Sequence, residues 1–308
     1  MIKLLIPICA LAVVGCESFT DSDTPPLVGS VQGKSPEAAV LFQKAQNYQA
    51  AGNTKNAIKT FRRVANNYPS DANAAEARFM EAYLLDQSGD PLESFDAYQK
   101  FINRYAGSPR YAQAVKSQEE VAYAAVNGTL KSNFLGLKSR IDEKKLVAML
   151  EKLRDNAPQA ASAPRAQYAI GQVLESRDKP KEAILAYEQL VSEYPKSGYA
   201  PEAQFRIGEI LIKDSQSGNP DQANLERAKR AYNDLLLAYP SSPFAPQAKQ
   251  RIATIGRSDL QASYNIAEFY RKKGQLASAA YYYQEVVTKA PAGPLRNQAA
   301  ARLGEINR

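Results

Sequence analysis

Tyr264-Asn-Ile-Ala267-Glu-Phe-Tyr270-Arg-Lys-Lys-Gly274-Gln-Leu-Ala-Ser-Ala279-Ala-Tyr-Tyr-Tyr283-Gln-Glu-Val-Val-Thr-Lys-Ala-Pro291 reads as two helices written one after the other. Tyr264, Ala267 and Tyr270 stand three residues apart, which stacks them on one helical face. Gly274 supplies a residue that can take the left-handed conformation closing a helix. The second half places Ala279 four residues before Tyr283 and stops at Pro291. A small residue opposite a ring lets two helices approach closely, so the stretch reads as a helical hairpin.

The same grammar recurs upstream. First helices carry Phe42/Ala45/Tyr48, Phe79/Ala82/Leu85, Tyr168/Gly171/Leu174 and Phe205/Gly208/Leu211. Second helices carry Ala57/Phe61, Ser94/Tyr98, Ala183/Tyr187 and Ala228/Tyr232, with Gly52 and Gly89 between the paired helices. Corners at Tyr68-Pro69, Tyr105-Ala106, Ala157-Pro158, Tyr194-Pro195, Tyr239-Pro240 and Ala290-Pro291 mark the unit ends. A period in the thirties with two helices per unit is the tetratricopeptide signature, and longer intervals carry insertions. A mid-helix glycine costs about 1 kcal/mol against alanine, so Gly171 and Gly208 imply a close helix contact that offsets the loss. The expected fold is all-α: a tetratricopeptide-type solenoid of about six helical hairpins, with repeats 1–3 over residues 35–158 and repeats 4–6 over 159–308. A helix from Pro294 to Asn307 is expected to cap it with a polar outer face.

Two units depart from the pattern. Between Pro109 and Pro158 a hinge at Asn127-Gly128 and an insert, Asn133-Phe134-Leu135-Gly136, precede a basic helix around Ile141 to Asn156. The fifth unit carries a polar loop from Lys213 to Pro220.

The start of the chain is of another kind. Met1 to Cys16 combines Lys3, an apolar stretch and a small residue before a cysteine, which reads as an export signal over residues 1–15. Leu4 to Gly15 is too short to cross about 30 Å of hydrocarbon. Val13-Val14-Gly15-Cys16 resembles the bacterial lipobox, so Cys16 is expected to be the lipidated first residue of the mature chain. Glu17, in place of the aspartate that retains many lipoproteins at the inner membrane, points to the outer membrane, facing the periplasm. Residues 16–34 are rich in Ser, Thr, Asp, Pro and Gly and read as a flexible tether.

Composition narrows the chemistry. There is no histidine, and the two cysteines are Cys9, within the signal, and Cys16. The mature body therefore has neither an imidazole nor a free thiolate for acid–base, nucleophilic or ligand work. No nucleotide-binding, nucleophile-elbow or Ca²⁺-loop pattern appears. Asp21-Ser22-Asp23, within the tether, is the nearest approach to a metal sequence. A non-enzyme without cofactor or metal is expected, binding partners along a concave face lined by the first helices. Phe42 and Phe79 are the candidate groove aromatics, with Gln46, Gln49, Tyr83 and Asp86 as polar contacts. The competing reading makes the aromatics repeat core and the polar residues solvated surface. The net charge of +7 is locally concentrated at Lys138, Arg140, Lys144, Lys145, Lys152 and Arg154. Asp142, Glu143 and Glu151 interleave with them, as on a solvated helix face. Nothing in the pattern supports nucleic-acid binding.

With lipobox, tether and repeats in place, the chain resembles the BamD family of lipoproteins of the outer-membrane β-barrel assembly machinery. The likeness is closest over Gly218 to Pro291, at Asn219-Pro-Asp-Gln-Ala, Ala228-x-x-x-Tyr232, Tyr239-Pro240-x-Ser242, Ala248-Lys249-x-Arg251 and the Ser263 to Gly274 run. The resemblance implies a non-catalytic scaffold. It would dock on the barrel-forming subunit and other assembly lipoproteins, and receive unfolded outer-membrane protein clients in its N-terminal groove. Arg227, Arg230, Arg271 and Tyr282 are the candidate docking residues, Tyr282 standing where many members carry an arginine. The chain also has six units to the family's five, and one helix after Pro291 where a pair is usual. An alternative keeps the fold and makes the chain an envelope or peptidoglycan coordinator of the CpoB/YbgF type, although those proteins usually have a coiled coil and no lipid.

Overall fold

A computed structural model describes residues 33–128, 132–134, 137–139, 141–216 and 222–307. The export signal, Cys16, most of the tether, Leu135 and Gly136 of the insert, Arg140 and residues 217–220 of the polar loop lie outside them. Among the described residues, thirteen helices pack as consecutive hairpins in a tetratricopeptide-like, all-α fold, with one two-stranded ribbon.

The chain divides into two compact units between Val121 and Ala122. The first contains α1 (Pro36–Ala50), α2 (Thr54–Asn67), α3 (Ala74–Gln87), α4 (Pro91–Arg104) and most of α5 (Tyr111–Val126). The second holds the end of α5, then α6 (Glu143–Asn156), α7 (Ser162–Ser176), α8 (Pro180–Glu193), α9 (Ala200–Gln216) and α10 (Gln222–Ala238), followed by α11 (Ala245–Lys272), α12 (Leu276–Lys289) and α13 (Pro294–Ile306). The corner at Pro158 lies inside this second unit.

Local sequence accounts for the helix ends. Pro91, Pro180 and Pro294 open α4, α8 and α13, where the missing N–H has no partner to lose. Gly52, Gly89 and Gly274 have φ of +70°, +74° and +74° between paired helices, the conformation in which a side chain is strained. The fourth hairpin makes the same turn with Asp178, at φ 56°.

The core follows the repeated small-to-aromatic rule. Phe61, Tyr98, Tyr187, Tyr232 and Tyr283, one at the equivalent position of each of these second helices, are fully buried. A Cβ built on Gly171 would lie 2.3 Å from the Tyr187 ring, and one on Gly208 2.5 Å from the Tyr232 ring, so each glycine makes room for its partner's aromatic. Each buried ring contributes roughly 1.5–3 kcal/mol, and edge-on or tilted pairs such as Phe79–Tyr98 and Phe205–Tyr232 add directionality. Within hairpins, buried glutamines of the first helix bond carbonyls of the second: Gln167 Nε2 donates to Ala186 O at 2.9 Å and Gln204 Nε2 to Ala231 O at 3.0 Å.

Three features differ from the sequence expectation. After Gly128 the third-unit insert forms a short antiparallel ribbon, β1 (Ser132–Phe134) against β2 (Leu137–Ser139), with Phe134 opposite Leu137. Lys213 to Gln216, expected in a loop, continue α9. The gap after the Tyr239-Pro240 corner is filled by helix extension. α11 runs unbroken for 28 residues, because no proline lies beyond its first turn and Gly256 is its only glycine.

Before the first helix, Gly33 bridges in parallel to Asp71 in the α2–α3 corner. The buried Asp71 carboxylate accepts from Ser35 N at 2.8 Å through Oδ2 and from Asn73 N at 2.8 Å through Oδ1. Ser35 then caps α1 by accepting from Ala38 N.

Candidate functional site

The candidate groove residues sit on α1 and α3 and divide into core and surface. Phe79 is 2 % exposed, edge-on to Tyr98 and Phe101 with the Arg110 guanidinium 4.9 Å from its ring centroid. It is repeat core and presents no face to a peptide, which corrects its expected place in the groove. Phe42 is half-buried and packs edge-on against Phe61 at 5.6 Å, so its ring is committed to the first hairpin as well. Tyr83, by contrast, is 40 % exposed. Gln46 is exposed, and Gln49 and Asp86 are half-buried. Burial and the neighbouring charge of Glu120 on α5 push the Asp86 carboxyl up.

In the second unit the hairpins carry a device that sequence reasoning missed. Tyr187 Oη donates to Glu175 at 3.0 Å, and Arg206 of the next first helix lies 3.7 Å from the same carboxylate. Tyr232 donates to Glu209, which Arg251 grips at 2.8 Å. Tyr283 donates to Glu268, which Arg302 meets at 3.3 Å. Each triad joins both helices of one hairpin to the next element. Every arginine stands nineteen residues after its tyrosine (187 to 206, 232 to 251, 283 to 302), a spacing that marks the device in the sequence.

The candidate docking residues are in the second unit. Arg227 and Arg230 are exposed on α10, Arg227 donating to Asn224 at 3.2 Å. Arg271 is turned onto its own helix, pairing with Glu268 at 2.9 Å. Tyr282 stacks on Tyr270 with ring centroids 5.8 Å apart and planes within 9°. Phe269 and Tyr281 extend this pair at its two ends, edge-on at 5.6 and 5.3 Å, and are 56 % and 70 % exposed. A continuous aromatic strip, Phe269–Tyr270–Tyr282–Tyr281, therefore runs across the last hairpin, with Lys273 over the Phe269 face. Exposed apolar area gathered in one place marks an interaction surface, and aromatic anchors dominate such contacts.

The basic cluster is partly spoken for. Arg154 donates to Asp155 and Gln167 at 2.8 and 2.7 Å, and Glu143 receives Lys179 at 2.8 Å. Lys144, Lys145 and Lys152 are exposed along α6.

The sequence profile of the YfiO outer membrane lipoproteins matches residues 34–214 and again 210–308. The chain belongs to the YfiO family. This is the family of BamD, a family of non-catalytic scaffold lipoproteins. The two YfiO matches meet at the end of α9. No curated protein matches the chain significantly. Solved structures similar to it include PilF of Pseudomonas aeruginosa (15 % identity, 86 % of this chain and 96 % of that one, TM-score 0.29). A thermophilic TPR protein of Thermus thermophilus (16 %, 71 % and 98 %, TM-score 0.31) and MamA of Desulfovibrio magneticus (15 %, 68 % and 99 %, TM-score 0.31) are similar too. Among the described residues of this YfiO member no helix is long and apolar enough to cross a membrane.

Proposed function

We propose that the chain is a lipid-anchored periplasmic scaffold of outer-membrane β-barrel assembly. Acylated Cys16 holds it at the outer membrane, the last hairpin docks the barrel-forming subunit and its companion lipoproteins, and the inner face of α1 and α3 receives unfolded outer-membrane protein clients. Membership in the YfiO family over residues 34–308 carries this reading. The Phe269–Tyr281 strip supports the docking role, because its two end rings, Phe269 and Tyr281, are exposed on one hairpin while Tyr270 and Tyr282 between them tie the strip to the core. Client binding to a partly polar face suits a transient substrate, since ordering a disordered chain limits its affinity.

Co-purification from detergent-solubilised envelopes tests the proposal. The full chain is expected to recover the barrel subunit. Phe269→Ala with Tyr281→Ala, both exposed, is expected to lose it while melting like the parent, and Cys16→Ser is expected to leave the membrane fraction when its partners are absent. Recovery of cell-division proteins alone, or full barrel-subunit recovery by the double variant, would overturn this assignment.

A further inference from the structure

The Glu–Tyr–Arg triads of hairpins α7/α8, α9/α10 and α11/α12 have an incomplete counterpart in the first unit. Each arginine follows a buried alanine by three residues: Ala203 and Arg206, Ala248 and Arg251, Ala299 and Arg302. After hairpin α3/α4 the equivalent alanine is Ala114, also fully buried, and three residues on stands Ser117. Ser117 is also nineteen residues after Tyr98, the tyrosine equivalent to Tyr187, Tyr232 and Tyr283. The acid is present: Asp86 lies four residues after the small Ala82, as Glu175 does after Gly171. Hairpin α1/α2 is different in kind, with Phe61 and Met80 at the tyrosine and arginine positions.

The missing guanidinium leaves a mark. Tyr98 is fully buried, yet its hydroxyl makes no hydrogen bond, whereas its three counterparts each donate to a glutamate. It lies where the charges of Asp86, Tyr83 and Glu120 bear on it, and Ser117 is near without reaching bonding geometry. Among the described residues no cation stands against Asp86. Glu120 meets Lys116 at 3.8 Å, a loose and largely exposed pair along α5. Tyr83, one residue after Ala82, occupies the position of Glu209 and Glu268, and offers a half-exposed ring beside the acids.

We propose that Asp86, Glu120, Tyr98 and Tyr83 form a receptor for one guanidinium or ammonium group of an extended peptide, which takes the place that Arg206, Arg251 and Arg302 fill within the chain. The acids neutralise the cation, the Tyr98 hydroxyl gains the partner it lacks by donating to a carboxylate drawn into place, and the Tyr83 ring packs on the cation or its aliphatic stem. The other three hairpins serve as the template for this geometry. The inference deepens the client-groove reading by naming the side chain that the groove selects.

The test uses the full chain in detergent and a labelled, unstructured peptide containing one arginine, compared with the same peptide carrying neutral citrulline. The arginine peptide is expected to bind about tenfold more tightly, the scale of one charge-assisted contact. Asp86→Asn with Glu120→Gln is expected to erase that preference, so that the arginine and citrulline peptides bind alike. Ser117→Arg, which completes the triad from within, is expected to raise Tm and likewise to abolish discrimination. Equal binding of the two peptides by the parent would overturn the receptor while leaving the groove standing, and binding of neither would overturn both. A Ser117→Arg chain with unaltered melting and undiminished discrimination would also overturn it.

Discussion

Arg251 and Glu209 meet side by side, Nε and Nη2 each 2.8 Å from one carboxylate oxygen across forty-two residues of chain. The planar fork fixes α11 against α9, and the Tyr232 hydroxyl, bonded to the same carboxylate, brings in α10. A lysine has the charge but not the fork. Arg251→Lys is therefore expected to lose nearly as much stability as Arg251→Met, about 1 kcal/mol or less for a pair this accessible. Urea midpoints of the two variants decide the matter; a lysine variant equal to the parent would show that charge alone suffices.

The packed glycines give a prediction of opposite signs. Alanine at Gly171 or Gly208 would press its Cβ into a buried tyrosine ring, so both substitutions are expected to destabilise by about 1–3 kcal/mol. Gly256 lies within α11 with nothing within 4 Å of where a Cβ would sit. Gly256→Ala is expected to raise stability by up to about 1 kcal/mol through helix propensity. Thermal melts of the three variants should split in this way, and a uniform gain would contradict the close approach.

Acid should loosen the last hairpin. Hydrogen bonding from Arg271, reinforced by Tyr283 and by the charge of Arg302, holds the Glu268 carboxyl down at about 2, against an ordinary value of 4.5. A depressed carboxylate stabilises the fold fully above its unfolded pKa and loses that contribution as pH falls through the folded one. Melting temperatures of the parent and Glu268→Gln should differ at pH 6 and converge as pH falls from 4.5 towards 2. Parallel curves across that window would show that Glu268 is not the group responsible.

The bond from Ser35 N to Asp71 should protect the neighbouring chain from proteolysis. Lys34 is exposed, so its peptide bond is accessible to trypsin once the segment lifts from the α2–α3 corner. Asp71→Ala is expected to speed cleavage after Lys34 several-fold, followed by mass spectrometry under native conditions. An unchanged rate would mean that the Asp71 contact does not hold the segment.

The hairpins were legible because each must solve the same packing problem, so Ala45/Phe61 and Gly208/Tyr232 obey one rule in different units. The groove was less legible. Phe79 and Tyr83 lie four residues apart on adjoining parts of one helix, and the ring that aligns with Ala82 at a spacing of three turns inward. The triads escaped notice because Tyr187 and Arg206 belong to different hairpins, and only the packed structure brings them to Glu175. The unbroken α11 was hidden by the expectation that a long interval between corners carries an insertion, where the chain instead lengthens a helix.

The Gly33–Asp71 bridge also sets a length. Between Cys16 and Gly33 the chain can span at most about 60 Å even when fully stretched. On the proposed acylation of Cys16, with the other end of that leash pinned at the α2–α3 corner, the first hairpins would be confined to a zone under the membrane no deeper than this reach. Lengthening the stretch before Gly33 would widen that zone without altering a single contact in the repeats, and would separate the scaffold's reach from its binding chemistry.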